Sequence, residues 1–274
     1  MPTIDVSGAT ISYSDTGAPT DLPDAPTIVF GHGLLFGGWM FRPQITALRD
    51  RYRCVAVDWR GQGASPAAPG GYDMDTLTND AVALIQKLDV APVHWVGLSM
   101  GGFVGQRLAA RHGELLRSLT LLDTSAGPEN PDRVGEFRLL SLAYRFLGIR
   151  PVKSKVAPLL FGAGFLADPG SEPVMDEWVR RLRRGDRAGI RRAVLAVADR
   201  VPVYQEIGGI TVPTLVVVGA DDLATPPADA ERLAAGIPGA KLQIIPNCGH
   251  TSTLEQPAAI TDLLAKFLDA ADQA

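Results

Sequence analysis

The segment with the most chemistry in it is Gly97-Leu98-Ser99-Met100-Gly101. It directly follows the apolar run Val93–Val96 and directly precedes Met100–Arg111, whose apolar residues recur at helical spacing. A strand that turns this tightly into a helix strains its central residue, and small glycines on either side prevent collisions. The hydroxyl of Ser99 is then held at a helix N-terminus, where the dipole and free N–H groups favour a developing anion. A glycine-rich turn around a passive serine is the alternative, and the position between strand and helix speaks against it.

A serine hydroxyl is a weak nucleophile near neutral pH and needs a base. Of the four histidines, His32 follows a predicted strand, His94 lies inside one and His112 ends a predicted helix. Only His250 lies in a loop after the last predicted strand, in Asn247-Cys248-Gly249-His250. Where a serine is presented at such a junction, the acid and then the histidine follow it along the chain, an order that His250 alone satisfies. The acid is expected after the run Thr214–Val218, where Gly219-Ala220-Asp221-Asp222 offers two carboxylates. Asp222 is preferred because it sits further into the loop and can turn toward His250. Asp221 and Asp123, at the end of the preceding strand, are the alternatives. The acid fixes the imidazole tautomer and stabilises the imidazolium. A tetrahedral anion also needs donors, and the backbone N–H of Met100 is the first. The loop Gly31-His32-Gly33-Leu34-Leu35 supplies the second, assigned to the Leu34 N–H.

These residues must be placed by elements whose order is also readable. Thr27–Phe30, Arg53–Val57, Val93–Val96, Ser118–Leu122, Thr214–Val218 and Leu242–Ile245 are predicted strands, apolar on both faces as in a covered parallel sheet. Residues 3–13 suit an antiparallel edge hairpin turning at Ser7-Gly8. Asp75–Leu88, Met100–Arg111, Ala228–Ala235 and Pro257–Leu268 are predicted helices, so the fold class is α/β. The alternation breaks between about 124 and 211, far longer than the roughly 30 residues of a crossover unit. Helical stretches at Phe137–Leu147 and Glu177–Arg184 mark this insert as a helical cap. The expected organisation is a catalytic core of residues 1–124 and 211–274, with a cap over 125–210.

Composition narrows the function classes. The 274 residues are 46% hydrophobic and 20% charged, as in an ordinary globular domain. A net charge of −4 leaves no global basic excess for phosphates, so a nucleic-acid partner is not expected. No window approaches 18 consecutive apolar residues, and Met1-Pro2-Thr3-Ile4-Asp5 has no signal-peptide character. With only Cys54 and Cys248, the expectation is a soluble cytoplasmic protein without membrane contact. Asp58-Trp59-Arg60-Gly61-Gln62-Gly63 lacks the lysine and third glycine of a phosphate loop and reads as a structural turn. No His-x-x-x-His or Cys-x-x-Cys occurs, so no metal site and no cofactor are expected. The charge is uneven: residues 125–205 hold 14 Lys/Arg against 9 Asp/Glu, and the remainder 12 against 21. Arg180, Arg181, Arg183, Arg184, Arg187, Arg191 and Arg192 supply most of the excess. They suit a solvated helix face or, more sharply, a positive field over a pocket mouth that attracts anionic substrates.

Taken together, His32-Gly33, Asp58 to Gly63, Gly97 to Gly101, Gly219 to Asp222 and Gly249-His250 resemble the motifs of the α/β-hydrolase family, in order and over the chain outside the insert. The resemblance implies a mostly parallel eight-stranded sheet with helices on both faces, a cap after the sixth strand, and an acyl-enzyme mechanism. Ser99 stands where haloalkane dehalogenases and epoxide hydrolases carry aspartate, and Leu98 where carbon–carbon bond hydrolases often carry asparagine. Gly97 through Gly102 with Phe103-Val104-Gly105-Gln106 is similar to 3-oxoadipate enol-lactonases, as is Gly249-His250 to Glu255-Gln256-Pro257. His32-Gly33 is more like carboxylesterases and aryl esterases, some of which also perform perhydrolysis. Hydrolysis of a small carboxylic ester is therefore the leading expectation and lactone hydrolysis the runner-up. A ligand receptor on the same fold comes last, because every triad position is filled. Leu35, Phe36, Trp39, Phe161 and Phe165 are candidate pocket walls.

Overall fold

A computed structural model describes residues 1–273. Eight strands form one sheet: β1 (Thr3–Val6), β2 (Ala9–Asp15), β3 (Thr27–Gly31), β4 (Arg53–Asp58), β5 (Val93–Leu98), β6 (Leu116–Leu122), β7 (Thr214–Gly219) and β8 (Lys241–Ile245). Their order is β1-β2-β4-β3-β5-β6-β7-β8. The β1–β2 and β2–β4 pairs are antiparallel and all others parallel. The hairpin turns at Gly8, whose φ of +72° is the left-handed conformation that glycine adopts without steric cost.

Among the described residues, eleven α-helices accompany the sheet: α1 (Arg42–Leu48), α2 (Met74–Lys87), α3 (Met100–Arg111), α4 (Pro131–Leu147), α5 (Lys153–Leu160), α6 (Ala163–Ala167), α7 (Glu172–Arg184), α8 (Arg187–Ala198), α9 (Pro227–Gly236), α10 (Ser252–Glu255) and α11 (Pro257–Asp272). Side chains alternate across a strand, so the apolar strands feed two cores. Ile28, Phe30, Ala56, Val96, Leu98 and Val217 pack with residues of α1 and α11 on one face. Val29, Val55, Val57, Trp95, Leu121 and Val216 pack with α2, α3 and α9 on the other. Every residue of β3, β5 and β7 is buried, which explains their continuous rather than alternating hydrophobicity.

Five helices, α4 to α8, lie between β6 and β7. The expected stretches at Phe137–Leu147 and Glu177–Arg184 are parts of α4 and α7, which begin earlier. Asn130 caps α4 by accepting the Asp132 N–H, with Pro131 in the first turn. The helix α8 escaped the sequence reading because Arg187, Arg191 and Arg192 dominate its composition. Its Ile190, Ala193 and Val197 are nonetheless buried at helical spacing. Asp186 caps it through the Gly189 N–H.

Candidate active site

Ser99 joins β5 to α3 at φ 51° and ψ −109°, a region that residues with a Cβ seldom adopt. Its surroundings hold it there. The Ser99 N–H donates to Leu122 O of β6 (2.8 Å), and its carbonyl accepts from the Gly102 and Phe103 amides and from Thr124 Oγ1. The junction is so tight that a Cβ on Gly97 would meet Gly101 O at 2.2 Å, and one on Gly101 would meet Gly31 O at 1.9 Å. These two glycines are a packing requirement of the turn that lifts the hydroxyl.

The loops after β7 and β8 bring the other groups to it. Ser99 Oγ lies 2.9 Å from His250 Nε2, and His250 Nδ1 lies 2.8 Å from Asp222 Oδ2. Asp222 is held from behind: Oδ1 accepts the Ala224 and Thr225 amides (2.8 and 3.0 Å), and Oδ2 accepts Thr225 Oγ1 (2.9 Å). All three members are buried. Burial by itself disfavours a charged His250 ring. The Asp222 carboxylate and its hydrogen bond outweigh that and raise its pKa above the ordinary value of 6.5.

The other two carboxylates considered for the acid do not touch His250. Asp221 uses its amide to bond Cys248 O and its residue is exposed. Asp123 is fully buried, accepting from Ser252 Oγ and N (2.5 and 3.2 Å) on Oδ2 and from the Gly219 N–H (3.0 Å) on Oδ1. Burial, reinforced by the nearby Asp222 charge, pushes its pKa up to about 8. Asp123 therefore stands mostly protonated at neutral pH and ties the ends of β6 and β7 to the start of α10.

The loop after β3 passes against the serine, since a Cβ on Gly33 would lie 3.4 Å from Ser99 Cβ. Leu35, at φ 69°, donates its amide to Gln62 Oε1 (2.9 Å). The Leu34 amide has no protein acceptor among the described residues. Met100, as the first residue of α3, likewise carries an N–H without an intrahelical acceptor. His32 is structural: Nδ1 donates to Gly33 O (2.7 Å) and Nε2 accepts the Trp59 N–H (3.0 Å). Burial lowers its pKa and keeps it neutral. The turn at Asp58–Gly63 is also structural, with Asp58 accepting the Gly38 and Ala64 amides.

A cavity of about 110 Å³ opens beside Ser99 and His250. Its walls are mostly apolar and come from α3 (Phe103), α4 (Phe137, Leu140, Tyr144), α5 (Val156, Leu160) and α8 (Ile190, Val194). Leu35 and Phe36 are among its lining residues. Trp39, Phe161 and Phe165 are not. Trp39 lies in a neighbouring cleft beneath the Arg181 guanidinium, 5.0 Å from the ring centroid. Phe161 and Phe165 stack on each other at 5.5 Å, and Phe161 packs edge-on to Trp178 at 5.6 Å. Their aromatic area is consumed in packing behind Phe36. The walls from α4 and α8 were missed because which face of an inserted helix turns toward the serine depends on how the helices dock. Glu255 was noted only as part of a motif, yet it accepts the Gly162, Gly249 and Thr251 amides.

Among the described residues no group of three or more His, Cys, Asp or Glu side chains is arranged to hold a metal ion. No helix is long and apolar enough to cross a membrane.

Residues 26–257 match the family described as the alpha/beta hydrolase fold. The chain belongs to the α/β-hydrolase family. Among its α/β-hydrolase relatives is 3-oxoadipate enol-lactonase 2 of Acinetobacter baylyi, 30% identical over 239 residues and 86% of each chain. A thermophilic esterase from Thermogutta terrifontis superposes with a TM-score of 0.89 at 25% identity, covering 99% of both chains. The enol-lactonase of Burkholderia xenovorans superposes at 0.88 with 30% identity, covering 98% of this chain and 100% of that one. The eight-stranded, mostly parallel sheet with flanking helices is the architecture of this α/β-hydrolase family.

Proposed function

We propose that this α/β hydrolase is a serine esterase that cleaves small carboxylic esters through Ser99, His250 and Asp222. The observation that carries the reading is the continuous relay from Ser99 Oγ to His250 Nε2 at 2.9 Å and from His250 Nδ1 to Asp222 Oδ2 at 2.8 Å, opening into an apolar cavity. Ser99 Oγ attacks the ester carbonyl while His250 Nε2 takes its proton. The negative oxygen that forms is received by the Leu34 and Met100 N–H groups. His250 then gives its proton to the leaving alkoxide, which departs as the alcohol and leaves an acyl-Ser99. Water, deprotonated by His250, attacks that acyl group, and the acid and free Ser99 are released. In this reading residues 125–210 form a lid over a core of 1–124 and 211–274, and α4, α5 and α8 shape the acyl or alcohol site.

The experiment is a panel of 4-nitrophenyl esters of graded chain length, assayed on the wild type and Ser99→Ala. Turnover should fall by about 10³-fold or more in the variant while its fold is retained. Labelling by an organophosphonate at Ser99 should block activity. Near wild-type turnover in Ser99→Ala would sink the assignment.

A second reading, hydrolysis of a lactone in the same site, is favoured by the two enol-lactonase relatives at 30% identity. It predicts that a carboxylate-bearing lactone is turned over faster than neutral aryl esters, and that added salt slows it.

A further inference from the structure

Arg200 is the one lysine or arginine, and Glu129 the one aspartate or glutamate, among the residues that line the cavity holding Ser99 and His250. A guanidinium alone in such a wall would be a receptor for a carboxylate, because arginine stays charged and matches carboxylate geometry. It is not alone. Arg200 Nη1 donates to Glu129 Oε2 at 2.7 Å, and the two side chains are 5% and 10% exposed. Glu129 Oε1 accepts the Asn130 amide (3.0 Å), which orients the carboxylate. The remaining contacts of Arg200 are to backbone: Nε to Gly127 O (3.0 Å), Nη1 to Val197 O (3.1 Å) and Nη2 to Pro128 O (3.1 Å). Four of its five N–H groups are thus committed, and the Phe103 ring covers its face at 4.4 Å.

We propose, on the reading of the chain as a serine hydrolase, that Glu129 is a specificity-determining residue: it cancels the charge of Arg200 and reserves the cavity for uncharged substrates. A substrate carboxylate entering the wild-type cavity meets a cation already paired and a carboxylate of its own sign. Both side chains are largely buried, so solvent screens either only weakly. The arginines on α7 lie outside the cavity: Arg180, Arg181 and Arg184 border a neighbouring cleft that has only Leu35, Phe36 and Ile190 in common with it. Glu129→Gln is the informative substitution. It preserves the shape and an oxygen that can accept from Nη1, and three backbone carbonyls still hold the guanidinium, so a single uncancelled positive charge is exposed to the substrate.

The test compares kcat/KM on 4-nitrophenyl butyrate with that on mono(4-nitrophenyl) glutarate, which carries one carboxylate at about pH 7.5. The wild type should favour the neutral ester by about tenfold or more, a difference of about 1.4 kcal/mol or more in transition-state stabilisation. Glu129→Gln should shrink that ratio by about tenfold, chiefly through faster turnover of the anionic ester. The double variant Glu129→Gln/Arg200→Met, with neither charge of the pair left, should return to preferring the neutral ester. A wild type that favours the glutarate, a ratio unmoved in Glu129→Gln, or a double variant that behaves like Glu129→Gln overturns the proposal. Should Glu129→Gln not fold, Glu129→Ala takes its place, because it too leaves Arg200 uncancelled, and the same outcomes apply. Ser99→Ala separates the two levels. Turnover that does not need Ser99 refutes the hydrolase reading, whereas Ser99-dependent turnover with an unmoved ratio refutes only the role of Glu129.

Discussion

Glu255 Oε2 accepts the amides of both Gly162 and Gly249, at 2.9 and 2.8 Å, so one carboxylate joins the segment between β6 and β7 to the loop that carries His250. Its Oε1 holds Thr251, the residue after the histidine, through both amide and hydroxyl. The loop that carries His250 is therefore held by the same group that binds the Gly162 amide. Glycine is required at position 249, because a Cβ there would lie 2.2 Å from the Gly162 amide nitrogen.

Glu255→Gln presents an NH₂ to donors that need an acceptor, and charge-assisted bonds are the strong ones. Stability should fall by about 2 kcal/mol or more, measured by urea denaturation. Ester turnover should drop through kcat more than KM, because the histidine rather than the apolar cavity loses its support. A kcat equal to wild type would show that His250 is positioned without Glu255.

The strain at Ser99 can be measured apart from catalysis. Its φ and ψ match the first central position of a type II′ turn, where glycine is favoured. Ser99→Gly should be more stable than Ser99→Ala by about 1 kcal/mol, reversing the usual order of alanine over glycine. Both variants lack the Ser99 hydroxyl, so thermal or denaturant unfolding gives a clean comparison. Equal or greater stability for the alanine variant would contradict the strain.

The pH profile follows from the direction of the His250 shift. His250 must be neutral to accept the Ser99 proton, and its pKa is raised above 6.5. The acidic limb of kcat/KM should therefore have its midpoint above 6.5. Asp222→Asn removes the main group that raises it and leaves burial to lower it, so the limb should move to lower pH. Turnover should fall by about 10²- to 10⁴-fold at the same time. A limb that stays in place in Asp222→Asn would point to another titrating group.

Asp123 should appear in the pH dependence of folding rather than of turnover. Its carboxyl is raised from the ordinary 3.8 to about 8, so the folded chain holds a proton that the unfolded chain releases. That contribution to stability is fully present below about 3.8 and is lost progressively as pH rises to about 8. Asp123→Asn keeps a neutral side chain of the same shape. Its Tm should vary less than wild type between pH 4 and 8, as followed by circular dichroism (about the span between the two pKa values). Parallel Tm curves for the two proteins would show that Asp123 is not protonated on folding.

The strand–turn–helix around Ser99 was legible because the junction is local: Val93–Val96, the glycines and Met100–Arg111 are contiguous, and strain and helix dipole both act within one turn. The choice of His250 was legible by elimination among four histidines, and the buried strands by their unbroken apolar runs. For the acid, the residues alone offered Asp221, Asp222 and Asp123. The Thr225 and Ala224 amides that turn Asp222 toward His250, and the Ser252 and Gly219 groups that engage Asp123 elsewhere, come from loop geometry. The cavity was least legible. Phe161 and Phe165 had the right chemistry for its wall but are spent on each other and on Trp178, whereas α4 and α8 supply the wall in their place. The seven-arginine cluster drew attention to charge at the surface, yet the charge that faces the cavity is Arg200, cancelled by a glutamate 71 residues earlier. Sequence alone determines the α/β frame and singles out Ser99 and His250, because each depends on neighbours along the chain or on a short list of residue types. Tertiary structure decides which carboxylate serves the histidine, which side chains meet the substrate and what net charge they present, because those depend on pairings between segments that only packing brings together.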